Sequence, residues 1–194
     1  MAALQKTALP LLALLLLMQP ASAADPISIE RSTVYYNIGG NTVPAITQSI
    51  RQNMPPQTDS FVGMTAYVFS WAYDYAPTGP RRCQTSNAKV AIEITTYLPR
   101  HASIRQAPAT VRAQWQKYST ALERHEARHA ADFIAIGSQI PKAIADVHTR
   151  NCSTIQAAAN AVGQTYVVRA QAKGDAYDAL TDHGVTDGAA WPGL

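Results

Sequence analysis

The amino-acid sequence predicts an α+β protein in which an antiparallel-type sheet from the N-terminal half packs on one long helix and a C-terminal helix. Two periodicities, with one change between them, carry this reading. Within Ala88–Leu98, the residues Val90, Ile92, Ile94, Thr96 and Leu98 alternate with Glu93, Thr95 and Tyr97, which is the pattern of a half-buried strand. From about Pro108 the apolar spacing becomes three and four, through Val111, Trp115, Tyr118 and Leu122 and then Phe133, Ile136, Ile140 and Ile144, which is one face of a helix.

The other elements follow from local signals. Residues 1–23 have the three parts of a signal peptide: Lys6, the apolar run from Leu9 to Met18, and Ala21-Ser22-Ala23 as the cleavage site. That run is about half the roughly 20 residues a helix needs to span a bilayer. The β-rich stretch Ile27–Ile38 reads as a strand, closed by the turn residues Gly39-Gly40-Asn41. Val43, Ile46 and Ile50 mark a short helix over Val43–Asn53, which Pro55-Pro56 ends. A further strand is expected over Phe61–Tyr75, joined to Ala88–Leu98 through a loop around Pro77–Pro80. Pro141, shortly after Gly137, should break the long helix. Ser153 should cap a last helix whose stripe runs Ile155, Ala159, Val162, Tyr166, Ala170, Lys173, Tyr177 and Leu180, with His183 one step further and Gly184 as its stop.

Bulk properties narrow the partners. Residues 24–194 have the length of a single domain with its own core. The formal charge of +3 is scattered rather than gathered into a stripe, which argues against nucleic acid as the main partner. An exported chain, periplasmic or secreted, with Cys83 and Cys152 as its two cysteines is expected to pair them as an intramolecular disulfide. Closing so long a loop is worth roughly 4 kcal/mol in the chain-entropy account.

The chemistry concentrates in His125-Glu126-Ala127-Arg128-His129, which falls in the gap of the long helix's apolar stripe. Histidines four apart stand one turn above each other and can converge on one zinc ion. A glutamate after the first histidine can take a proton from water that the ion activates. Zinc therefore emerges as the expected cofactor, with His125 and His129 as ligands and Glu126 as general base. Catalytic zinc normally takes a third protein ligand. The extended form of the motif would place Gly at 132 and His at 135, where this chain has Asp132 and Ala135. The remaining candidates are His183, Asp178, Asp182, Asp132, His101 and His148, of which His183 is preferred for its ligand type and its place after the last helix stripe. Asp132 is also placed to orient a metal-bound imidazole, and Tyr166 or Tyr177 to donate to an oxyanion.

On these residues the chain resembles a bacterial family of unknown function described as predicted secreted zinc-dependent proteases. The matching stretches are Tyr35-Tyr36, Ser70-Trp71-Ala72-Tyr73, His125 to Phe133, and Tyr177-Asp178 through Thr181 to His183-Gly184. The resemblance implies a small zincin-like fold and a peptidase acting on a peptide or protein substrate. By analogy with such folds, Ala88–Leu98 would be the edge strand that holds an extended substrate. The residues leave three rivals standing: a hydrolase of cell-wall amides, a periplasmic zinc-binding or interaction module without turnover, and a plain structural domain with no metal.

Overall fold

The computed structural model describes residues 25–194, so the segment read as a signal peptide lies outside the described residues. In chain order the elements are β1 (Ile27–Ile38), α1 (Val43–Asn53), β2 (Met64–Gly79), β3 (Arg82–His101), α2 (Ala109–Gly137), α3 (Ile140–Ala145), β4 (His148–Thr149) and α4 (Ile155–Thr181).

The strands form one sheet in the order β1-β3-β2, with the short β4 pairing at the start of β3. The expected antiparallel-type sheet is corrected to a mixed one. β2 and β3 are an antiparallel hairpin, whereas β1 runs parallel to β3, from Ile27 opposite Val90 to Ile38 opposite His101. Parallel neighbours need a crossover, and here α1 and β2 lie between β1 and β3 in the chain. The hairpin connection is also tighter than the Pro77–Pro80 loop expected, because β2 continues to Gly79 and β3 starts at Arg82.

The alternation read in β3 holds at Val90, Ile92, Ile94 and Leu98, which are buried, and at Glu93, which is exposed, whereas Thr95, Thr96 and Tyr97 are all half-buried. Its position is not the one expected, since Ala88–Leu98 is flanked by β2 from Lys89 to Tyr97 and by β1 from Val90 onward. A strand with both sides occupied has no free backbone groups to offer an incoming peptide, so β3 is a central strand and the edges of the sheet are β1 and β2.

Two apolar clusters hold the helices to the sheet. One joins Phe69, Val90, Ile92 and Ile94 to Phe133, Ile136, Ile140, Ile144, Ala159 and Ala170. The other gathers Tyr36, Ile46, Ile50, Leu98, Trp115, Tyr118, Leu122 and the near-terminal Trp191. Trp191 is fixed there by its indole N–H, which donates to Thr47 Oγ1 at 2.9 Å. Along α2 the first cluster begins at Ala130 and the second ends at Leu122, so His125, Glu126 and His129 fall between the two cores.

Pro141 falls in the first turn of α3, where a missing N–H is tolerated, and α2 does end at Gly137. Ser153 does not cap α4: Thr154 precedes the helix without a side-chain capping bond, and the Ser153 hydroxyl turns to Asn151. The Cys83–Cys152 disulfide is present, with Cα atoms 5.2 Å apart, and ties the start of β3 to the segment leading into α4. Among the described residues no helix is long and apolar enough to cross a membrane.

Candidate metal centre

α2 supplies three buried polar side chains in succession, His125, Glu126 and His129, where its helical stripe would otherwise carry apolar residues. α4 crosses this stretch and presents Asp178 to it. His125 Nε2 and His129 Nε2 lie 3.2 Å apart, and each is within hydrogen-bond distance of the same oxygen, Asp178 Oδ1, at 3.1 and 3.0 Å. His125, His129 and Asp178 are one group whose donor atoms all lie within 4.8 Å of one another. Tetrahedral zinc with donors at 2.0–2.1 Å holds them roughly 3.3 Å apart. Three donors converging at this spacing therefore fit a zinc ion in both chemistry and separation.

The ring of His125 is fixed on all sides. Tyr177 stacks on it with centroids 4.8 Å apart and planes 20° from parallel. Gly184, at φ +87°, approaches so closely that a Cβ there would stand 3.0 Å from His125 Cγ. With Nε2 turned to the donor group, Nδ1 faces away, and it is the one buried side-chain polar atom without a hydrogen-bond partner among the described residues. Asp187 Oδ2 is the nearest carboxylate oxygen, 3.6 Å from Nδ1, and it accepts a 2.6 Å hydrogen bond from the Tyr177 hydroxyl. That bond lowers the Asp187 pKa and keeps it a carboxylate, while burial raises Tyr177 to about 12. A carboxylate behind a ligating imidazole fixes its tautomer and raises its basicity.

Glu126 is buried and forms no ion pair among the described residues. Its Oε2 accepts from the Thr65 hydroxyl at 2.9 Å, which ties it to the first residues of β2. Burial pushes its pKa up to about 7, the Thr65 bond opposes this, and the Asp178 charge adds to it. Gly63 leaves the space for this carboxyl, since a Cβ there would meet Glu126 Oε1 at 2.8 Å. Burial also holds His129 below the usual imidazole range, which keeps it a neutral donor.

The other residues singled out from the sequence stand outside this donor group, although His183 and Asp182 line the same cleft. The helical stripe that pointed to His183 ends before it: α4 stops at Thr181, and Asp182 and His183 both take positive φ, 50° and 51°. The imidazole is thereby carried to the rim, half exposed, with Nδ1 3.9 Å from Asp178 Oδ1 and its ring beside Phe61. Asp182 is exposed beside it. Asp132 is held by Arg128 at 3.0 Å and faces Lys173, with no hydrogen bond to either histidine. His101 is buried against Trp115 and bonds Gly40 O, and His148 sits exposed on β4. The Tyr177 hydroxyl is engaged with Asp187, so it is not free for an oxyanion, and Tyr166 packs against the first apolar cluster. Asp187 and Gly63 were not singled out from the sequence. Neither carries a spacing signal, because each reaches the site through a loop.

The donor group and Glu126 lie in a cleft of about 950 Å³ between the start of β2, α4 and the C-terminal segment. The arrangement defines a class: an α+β protein whose two long helices bring two imidazoles and a carboxylate together beside a buried glutamate and a sheet edge. Residues 33–184 match the family model described as bacterial protein of unknown function (DUF922), and the chain belongs to that family. The chain matches no curated protein and no solved structure.

Proposed function

We propose that the protein is an exported zinc-dependent hydrolase that cleaves amide bonds in peptides, with His125, His129 and Asp178 as the metal ligands. The observation that carries this is a buried, unpaired Glu126 at the base of the same cleft as three converging metal donors. Burying a carboxyl without a cation beside it costs stability, and titratable groups shifted in this way concentrate at functional sites. A module that merely stored zinc would gain nothing from it.

His125, His129 and Asp178 would hold the zinc ion, which when bound would supply Lewis-acid activation of water and of the substrate carbonyl. The protein's own residues do the rest. Glu126, steadied by Thr65, receives the proton of the attacking water and returns it to the departing amine, and a pKa near 7 suits a group that must do both. Tyr177 and Asp187 hold the His125 ring in place. β2 is the sheet edge beside α2, and Met64–Tyr67 line the cleft, so an extended substrate can add along β2.

Glu126→Gln should keep zinc and lower turnover of a peptide substrate by at least about a hundredfold, the usual worth of a positioned general base. Turnover by Glu126→Gln at the wild-type rate would remove the base assignment.

A further inference from the structure

The cleft is acidic in a chain that is not. Asp59, Glu126, Asp175, Asp178 and Asp182 all line it, and among the described residues no lysine or arginine does, although the whole chain carries a formal charge of +3. Two of these carboxylates belong to the proposed metal centre, but three stand apart from it. Asp175 lies one turn before Asp178 on α4, Asp182 is the left-handed residue that follows the end of α4, and Asp59 belongs to the loop before β2. These three residues are exposed and form no ion pair among the described residues. Even with a divalent cation bound, the lining retains an excess of negative charge.

The same cleft gathers exposed apolar side chains. Phe61, Val185 and Leu194 are each more than 40 % exposed and all three line it. Large apolar groups left in water beside unpaired carboxylates match a ligand that presents both an apolar and a cationic group.

We propose that the occupant is a peptide strand carrying a lysine or arginine next to a large apolar residue, recognised by Asp175 and Asp182 and by the Phe61, Val185 and Leu194 side chains. This rests on the peptide-hydrolase reading and narrows it: anionic substrates are repelled by the same charges, and the cationic side chain compensates them.

The test is binding, so that it does not depend on turnover. Two capped peptides, Ala-Leu-Lys-Phe-Ala and the same with Glu in place of Lys, are titrated by calorimetry into the zinc-loaded Glu126→Gln protein. The lysine peptide should bind about tenfold tighter or more, the order expected of two partly exposed charge pairs. Asp175→Asn with Asp182→Asn, made in the same background, should bring the two peptides to within about twofold, as should high salt. Equal binding of the two peptides, a preference unchanged by the double substitution, or no binding of either peptide would overturn the proposal. Failure of the hydrolase reading shows separately, as a lysine peptide that binds as described and is left intact by the wild-type protein.

Discussion

His125 makes contacts that a mere core histidine would not need. Its Nε2 meets two other donor atoms, its face is stacked on Tyr177, and its Nδ1 is orphaned at 3.6 Å from a carboxylate that Tyr177 itself holds. If Asp187 steadies this imidazole, Asp187→Ala should weaken zinc binding about 10- to 100-fold, the usual effect of removing such a partner. Competition with a chromophoric chelator measures this, and Tyr177→Phe should give a smaller loss of the same sign. Affinity unchanged in Asp187→Ala would reduce Asp187 to a loop residue that happens to lie nearby. The pair His125 and His129 was legible because helical spacing alone determines where i and i+4 point. Asp187 was not, because it comes from the segment beyond α4, and loop geometry leaves no period to read.

The two long helices were read with different success, and the reason lies in their inner faces. α2 buries Trp115, Tyr118, Leu122, Phe133 and Ile136, large residues whose spacing announces the buried side. α4 buries Ile155, Ala159 and Ala170 of its expected stripe, but the rest of its buried line is Gly163, Gly174 and Thr181, while Leu180, expected on the stripe, is 78 % exposed. Small residues let α4 approach the sheet and α2 closely, and they carry no hydrophobic signal. The inner line therefore passes through Asp178 rather than on to His183. Gly163 shows the constraint most plainly, since a Cβ there would stand 2.5 Å from the Trp71 ring. Gly163→Ala should destabilise the fold by about 1–3 kcal/mol, as overpacking does, read as a lower midpoint in chemical denaturation. Stability equal to wild type would mean that α4 can move off the sheet without loss. The strands show a parallel limit: alternation marked which residues of β3 are buried, but nothing in its own sequence states that β1 returns beside it in parallel.

The whole molecule can be understood as two apolar cores with a polar seam between them. One core is built on β2, β3 and the C-terminal part of α2, the other on α1, the N-terminal part of α2 and the tail around Trp191. The seam holds the donor group and Glu126, and the cleft opens from it, so the site is assembled by packing that also sets the fold. The measurement that bears most directly on this account is the metal content of the protein, by elemental analysis of wild type beside His129→Ala, Asp178→Ala and His183→Ala. The account predicts about one zinc per chain in wild type and in His183→Ala, and loss of zinc in His129→Ala and Asp178→Ala. Zinc retained in Asp178→Ala but lost in His183→Ala would return the third position to His183, and no zinc in wild type even after reconstitution would contradict the metal centre itself.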